Sequence, residues 1–166
     1  LDKQPNDAEV AATERCPWRG ILLEGFVHDD NAYSVGGIEG HAGLFGNAGD
    51  VFDLLSEVMA VNGGSVSAGV FDIALIRRFL RLNKQNGRAL GFDTPSSKGS
   101  SCGRYFSKRT VGHLGFTGTS FWMDLDRAIV VILLTNRIHP SRDNDRIKAF
   151  RPKLHDAVME NLQSTD

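Results

Sequence analysis

An uninterrupted apolar run, Ile129-Val130-Val131-Ile132-Leu133-Leu134, places the strongest constraint on the fold of this chain. The run is rich in β-branched residues and lacks the alternation of a half-buried strand, so we expect a strand that is covered on both faces. Residues 109–116 and 119–125 have the composition of two further strands, and the short segment 124–127 predicts that the last two strands form an antiparallel hairpin. Three strands make a small sheet, and we expect one of its edges to pair with strands that lie outside this sequence.

Helices are predicted on both sides of these strands. Asp50 is a candidate N-cap for an amphipathic helix that stops at Asn62-Gly63-Gly64. A second helix is predicted over residues 71–84, and a terminal helix follows from the apolar spacing between Ile147 and Leu162. The predicted inward face of the second helix consists of Phe71, Leu75, Phe79 and Leu80, and its outward face of Arg77, Arg78 and Arg81, which are interpreted as a solvated surface.

The order of elements predicts an α+β fold in a single domain over residues 1–166, with residues 1–17 as loop. The 19 basic and 20 acidic residues give a net charge of −1, which favours neither a nucleic acid nor an anionic membrane as partner. The apolar runs are far shorter than the roughly 18 residues of a membrane-spanning helix. Cys16 and Cys102 lack metal-ligand spacing and are interpreted as thiols, although a disulfide between them is left open. The five histidines form no cluster typical of a metal site.

Residues 112–120, Gly-His-Leu-Gly-Phe-Thr-Gly-Thr-Ser, are the stretch that carries most information about function. Three glycines within seven residues, beside a histidine and between two predicted strands, indicate backbone that lies close to a ligand. The alternative is that His113 is an ordinary strand histidine, hydrogen-bonded to a neighbouring loop.

The same stretch, with the hairpin and the helix that follow it, resembles the C-terminal portion of serine β-lactamase-related proteins. The resemblance is nearest to the class C enzymes and their esterase relatives. It extends over nearly the whole chain from about Ala12, through the segments Gly36-Gly37-Ile38-Glu39-Gly40-His41-Ala42-Gly43-Leu44-Phe45-Gly46, Leu90-Gly91-Phe92-Asp93 and Thr135-Asn136-Arg137-Ile138-His139-Pro140. It implies the C-terminal part of a β-lactamase/transpeptidase-like fold.

Enzymes of this kind use a Ser-x-x-Lys nucleophile, a Tyr-x-Asn element and a Lys-Thr-Gly or His-x-Gly strand. His113-Leu114-Gly115 matches the third element. The resemblance implies that His113 orients the substrate, that the backbone N–H of Phe116 stabilises an oxyanion, and that Leu114, Gly115, Thr117 and Gly118 bind substrate. Histidine in the place of lysine favours an esterase or peptidase-like activity over β-lactam hydrolysis. The implied acyl transfer through an acyl-serine needs no metal or organic cofactor.

The other two elements are missing from the 166 residues. No lysine has a serine three positions before it, and Tyr33-Ser34-Val35 lacks the asparagine. The chain also begins at Leu1, without methionine or a signal-like segment. We therefore expect a partial domain that is inactive alone and whose parent acts on a small acyl substrate or peptide. The resemblance implies a periplasmic or secreted parent. The alternative is a non-catalytic module that binds peptides or self-associates through its sheet edge.

Two other sequence features could indicate a catalytic residue. Gly99-Ser100-Ser101-Cys102-Gly103 matches the Gly-x-Ser-x-Gly nucleophile elbow, but an elbow needs a strand before the serine and a helix after it, and neither is predicted here. His41 lies among glycines with nothing nearby that needs proton transfer, so a structural role is favoured. Trp18 and Trp122 are interpreted as packing residues.

Overall fold

The computed structural model describes residues 10–65, 70–83 and 85–164. Its described elements are helices and a three-stranded antiparallel sheet, which confirms the predicted α+β class. In chain order they are α1 (Asp30–Ser34), α2 (Ala48–Gly63), α3 (Ile73–Leu80), β1 (Thr110–Leu114), β2 (Ser120–Asp124), β3 (Ile129–Leu133) and α4 (Ile147–Gln163). None of the helices in these ranges is both long and apolar enough to cross a membrane.

The sheet has the order β1-β2-β3, with Trp122 of β2 opposite Gly112 of β1 and Val131 of β3. The predicted hairpin between β2 and β3 is confirmed. Its turn is closed by Asp124, whose carboxylate accepts hydrogen bonds from the backbone N–H groups of Asp126 and Arg127 at 3.1 and 3.2 Å. Each strand is one or two residues shorter at each end than the predicted segments, which are 109–116, 119–125 and 128–135.

The main core lies on one face of the sheet, where α2 and α3 pack. It contains Leu55, Val58, Val61, Ile76, Leu80, Val111 and Met123. Val130 and Ile132 of β3 pack against this cluster, whereas Val131, on the opposite face, is also buried. The expectation that the apolar strand is covered on both faces is therefore confirmed at its centre.

Both predicted helix boundaries before the sheet need correction. The N-cap of α2 is Asn47, and Asp50 is the third helical residue, whose carboxylate accepts from the Asn47 N–H at 2.8 Å. Asn47 and Asp50 form a reciprocal capping box, in which Asn47 is the N-cap and Asp50 is the residue that bonds back to it. Helix α3 is shorter than predicted, spanning Ile73–Leu80, and residue 84 lies outside the described residues.

The inward face of α3 was also predicted wrongly in part. Ile76 and Leu80 are buried, whereas Leu75 and Phe79 are exposed. Ile76 and Leu80 are one turn apart and therefore point together towards α2 and the sheet. Phe71 contributes to the core as predicted, although it precedes the helix.

Residues 10–29, before α1, are loop apart from an isolated bridge between Arg15 and Leu22. This agrees with the predicted lead-in for residues 10–17, whereas residues 1–9 lie outside the described part of the chain. Cys16 and Cys102 are both buried and free, so the disulfide that the sequence left open is not formed.

Candidate active site

The candidate site lies at the loop that connects β1 to β2, residues 115–119, which we call the hairpin loop. The Gly115 N–H donates to the Thr119 carbonyl at 2.8 Å, and the Gly118 N–H donates to the Gly115 carbonyl at 3.1 Å. Gly118 has φ +116°, and a Cβ there would come within 2.7 Å of Thr135 Oγ1. Glycine is therefore required at this position by both backbone conformation and space.

Two of the glycines that indicated a nearby ligand are required by packing within the fold itself. A Cβ on Gly112 would lie 2.4 Å from Cε3 of Trp122, and a Cβ on Gly115 would lie 2.1 Å from Thr119 Oγ1. The glycine spacing therefore reflects tight packing within the hairpin. The proximity of a ligand is an additional hypothesis that this packing does not require.

The outer edge of β1 is partly covered. Gly112 exchanges two backbone hydrogen bonds with Asp93, at 2.9 and 2.7 Å. Because backbone groups alternate in direction along an antiparallel strand, those of Leu114 point to the same outer edge. The bridge to Asp93 therefore covers the edge of β1 at Gly112. It does not cover the end of β1 beside the hairpin loop, which carries His113 and Leu114.

His113 is exposed at this end of β1, opposite Phe121 of β2. Within the described residues its imidazole has no hydrogen-bond partner. The alternative of a strand histidine bonded to a neighbouring loop is therefore not what the structure contains. The side chain is available to a ligand.

Phe116 is the first residue of the hairpin loop beyond Gly115, and its backbone is fixed on one side only. Its carbonyl accepts a hydrogen bond from Arg137 Nε at 2.8 Å, whereas its N–H has no acceptor within the described ranges. The phenyl ring of Phe116 is also held between two neighbouring side chains. It stacks on the imidazole of His28 with 5.5 Å between ring centres, and the Arg137 guanidinium lies 4.5 Å from the ring centre.

Arg137 connects the hairpin loop to the segment that follows β3. Its backbone N–H donates to the Thr117 carbonyl at 2.8 Å. Its Nη1 donates to the carbonyls of Arg142 and Asn144 at 2.9 and 2.8 Å. Arg137 is a site residue that sequence patterns do not single out, although its position directly after an apolar strand, in Thr135-Asn136-Arg137, is a signal that could have indicated it.

The imidazole of His28, which stacks on the Phe116 ring, lies beside a buried carboxylate. Glu14 is 2 % exposed, forms a two-contact ion pair with the guanidinium of Arg142, and has its Oε1 3.0 Å from Nε2 of His28. The hydrogen bond from Arg142 holds the pKa of Glu14 below its usual range, against the opposing effect of burial. Nothing in the local pattern around Glu14 singles it out, because its partners are distant in sequence.

The competing candidates have structural roles. His41 Nε2 lies 3.0 Å from Oδ1 of Asp29, which also caps α1 by accepting from the Ala32 N–H. Ser101 lies in a turn, without a preceding strand or a following helix, as expected for a false elbow. No group of three or more histidine, cysteine or acidic side chains in the described part of the chain could hold a metal ion.

A comparison with models of protein families establishes the family of this chain. The family model described as Beta-lactamase matches residues 2–153. The chain belongs to the Beta-lactamase family. The family assignment agrees with the resemblance carried by His113-Leu114-Gly115 and with the α+β architecture.

Individual relatives are identical to this Beta-lactamase-family chain at about a third of the aligned positions. A protein of Escherichia coli (strain K12) is 34% identical over 125 residues, which cover 73% of the chain and 29% of the relative. A protein of Salmonella gallinarum (strain 287/91 / NCTC 13346) is 35% identical over 133 residues, which cover 78% of the chain and 31% of the relative. Both carry the name "Putative D-alanyl-D-alanine carboxypeptidase". The aligned part of the chain spans about a third of the length of these relatives, and no solved structure matches it.

Proposed function

We propose that this chain is the substrate-binding part of a Beta-lactamase-family serine hydrolase that works by acyl transfer through an acyl-serine. One observation carries the proposal. The edge strand β1 presents an exposed His113 and is followed by Phe116, whose N–H lacks an acceptor within the described residues while its carbonyl is held by Arg137. A fixed peptide with a free N–H is what stabilisation of a tetrahedral oxyanion requires.

The proposed substrate lies along the outer edge of β1, on the hairpin-loop side of the Asp93 bridge. His113 orients it from the strand, and Leu114 and Gly115 contact it through their backbone. The Phe116 N–H donates to the developing oxyanion. Thr117 and Gly118 bound the site from the hairpin loop, whose shape the Gly118 conformation fixes.

The nucleophile has to come from elsewhere, because the 166 residues contain no Ser-x-x-Lys. We propose that residues 1–166 form a partial domain and that a longer protein supplies the nucleophilic serine, its base and a Tyr-x-Asn element. Exposed apolar side chains before and on α2 support a missing neighbour, among them Leu44, which is 85% exposed, with Phe45 and Phe52. The chain alone is then inactive.

The names of the relatives favour a peptide that ends in D-alanyl-D-alanine as the substrate class. Histidine at position 113, where β-lactamases carry lysine, supports a peptide or ester substrate over a β-lactam. The proposed reaction uses no metal or organic cofactor, since serine, base and oxyanion donors suffice for acyl transfer.

The proposal is tested with a fluorophosphonate probe and a D-alanyl-D-alanine peptide. The isolated chain should form no adduct, whereas the longer protein should be labelled and should release D-alanine. In the longer protein, His113→Ala should lower kcat/KM at least about tenfold, because it removes a group that contacts the substrate. Arg146→Ala, which removes an exposed side chain outside the site, is the control. An adduct on the isolated chain, or equal effects of the two variants, would overturn the assignment.

A second function is favoured by the other edge of the sheet. β3 is the last strand of the order β1-β2-β3 and has no neighbour on its outer side among the described strands. An unpaired edge can add a strand from another chain, so a non-catalytic, self-associating module is the alternative. A dimeric solution mass in the isolated chain, together with no labelling of any longer product of the gene, would favour this alternative.

A further inference from the structure

Two adjoining concavities lie at the C-terminal end of α3, and neither includes the candidate active site. The first has a volume of about 430 Å³ and the second of about 550 Å³, which is the usual size range of small-molecule sites. They share Arg81 and Leu82. A ligand that occupies both would therefore contact Arg81.

The two concavities are strongly basic. Five arginines line them, Arg77, Arg78, Arg81, Arg88 and Arg109, which we call the arginine cluster. No carboxylate lines either concavity within residues 10–65, 70–83 and 85–164. Of the five, only Arg109 forms an ion pair in those ranges, with the exposed Asp126 at 3.0 Å. This excess of positive charge is local, because the whole chain has a net charge of −1.

A solvated helix face explains only part of the cluster. Arg77 and Arg78 belong to the last turn of α3, where cations interact favourably with the helix dipole. Arg88 comes from the loop after α3, and Arg109 from the residue before β1. The fold thus adds Arg109 to the first concavity and Arg88 to the second, beside the arginines of α3. Such convergence costs repulsion between like charges and indicates an anionic ligand.

We propose that the arginine cluster binds a small ligand that carries two or more linked phosphate groups. The planar guanidinium matches the oxygens of a phosphate in a two-bond geometry, which makes arginine a favoured phosphate-binding residue. Two concavities joined at Arg81 provide room for successive phosphates. The amides of Asn62, Asn83 and Gln85 supply further donors, and Leu80, Leu82 and Leu90 supply apolar surface. This inference does not rest on the proposed hydrolase activity.

Binding of inorganic tripolyphosphate to the isolated chain tests the proposal. Calorimetry at about 0.15 M NaCl, where unspecific surface attraction is screened, should give saturable binding with one site per chain. Orthophosphate should bind at least about tenfold more weakly, since it engages fewer guanidinium groups. No saturable binding of tripolyphosphate up to millimolar concentration would overturn the proposal.

Matched variants localise the site. Arg81→Gln and Arg88→Gln should each weaken tripolyphosphate binding at least about tenfold, because each removes a charged donor. Both side chains are exposed and form no hydrogen bond within the described residues, so the thermal midpoint should stay unchanged. Arg146→Gln removes an exposed arginine outside both concavities and should leave the affinity within about twofold.

Two results of these titrations would contradict the proposal. Equal weakening by Arg146→Gln and Arg81→Gln would show attraction by overall charge instead of a site. A single-stranded oligonucleotide whose affinity exceeds that of tripolyphosphate and rises with length would show a polyanion surface. Failure of the hydrolase assay described above would leave this binding result unaffected.

Discussion

Arg137 binds Phe116 in two ways at once: Nε donates to the Phe116 carbonyl at 2.8 Å, and the guanidinium lies 4.5 Å from the centre of the phenyl ring. The peptide group and the side chain of one loop residue are thereby fixed by one cation. That cation is held in turn by the carbonyls of Arg142 and Asn144. If the Phe116 N–H is the oxyanion donor that we propose, Arg137 is the positioning residue that fixes its direction.

Replacing Arg137 with lysine should loosen the hairpin loop without unfolding the protein. Lysine keeps the charge but cannot reproduce the planar fork that bonds three carbonyls. We expect the free energy of unfolding to fall by about 1–3 kcal/mol. Backbone ¹⁵N relaxation should show increased motion in residues 115–119 and around Arg142 and Asn144, whose carbonyls lose the same donor. Arg146→Lys, at an exposed site without a side-chain hydrogen bond, serves as the control, and an unchanged loop in Arg137→Lys would contradict this role.

Replacing Glu14 with glutamine should weaken the contacts that hold Arg142 beside the Phe116 ring. The variant loses the charge that pairs with Arg142, so we expect a loss of about 1–3 kcal/mol in unfolding free energy at neutral pH. Urea unfolding at several pH values provides the measurement.

The pH dependence of the Glu14→Gln effect has a fixed sign. The folded-state pKa of Glu14 is lowered below the ordinary 4.5, so its stabilising contribution is complete above that value and is lost as the pH falls through the folded pKa. The difference between the wild type and Glu14→Gln should therefore shrink in acid. A difference that stays constant from neutral to strongly acidic pH would show that charge is not the cause.

Local patterns predicted the sheet well because its signals are confined to short segments. The apolar run at Ile129–Leu133 and the turn closed by Asp124 specify the hairpin without reference to the rest of the chain. The capping box of α2 was misread because Asn47 and Asp50 are both good caps in isolation, and only the helix geometry distinguishes them. The face of α3 depended on which side α2 occupies, which no local pattern contains.

The candidate site was predicted only where it is local. His113-Leu114-Gly115 is a contiguous motif that the sequence shows directly. The contacts that support Phe116 depend on residues far apart in the chain, such as Glu14 and Arg142, which are 128 positions apart. Glu14, His28 and Arg142 come together only when the lead-in packs beside the segment after β3. Only Arg77, Arg78 and Arg81 are visible in the sequence as a group, and they are interpreted there as a helix face. Arg88 and Arg109 join them through tertiary structure.

His155 should make the protein sensitive to acid. The side chain is fully buried in α4 beside the ring of Phe106, and burial lowers its pKa from 6.5 to about 4. The unfolded chain binds this proton below pH 6.5, whereas the folded chain does so only near pH 4. Stability is therefore lost progressively between these values, by up to about 3 kcal/mol. Denaturant unfolding from pH 7.5 to 4 measures this loss.

His155→Gln isolates that effect from the other titrating groups. The variant lacks the imidazole but keeps a polar side chain, so its stability should depend less steeply on pH between 6.5 and 4 than that of the wild type. Parallel curves for the wild type and His155→Gln would exclude His155 as the acid-sensitive group.

Replacing Gly112 with alanine should destabilise the sheet at its most crowded point. The added Cβ would lie 2.3 Å from the Phe121 carbonyl oxygen and 2.4 Å from Cε3 of Trp122, and the first of these is backbone that cannot rotate away. We expect a loss of about 1–3 kcal/mol in unfolding free energy, together with a shift in the fluorescence of the buried Trp122. Gly40→Ala is the matched control, because a Cβ at Gly40 has no neighbour within 4 Å and its φ lies outside the left-handed region. If Gly112→Ala were as stable as Gly40→Ala, the indole would have to lie elsewhere, and the packing explanation for the first glycine of the motif would be wrong.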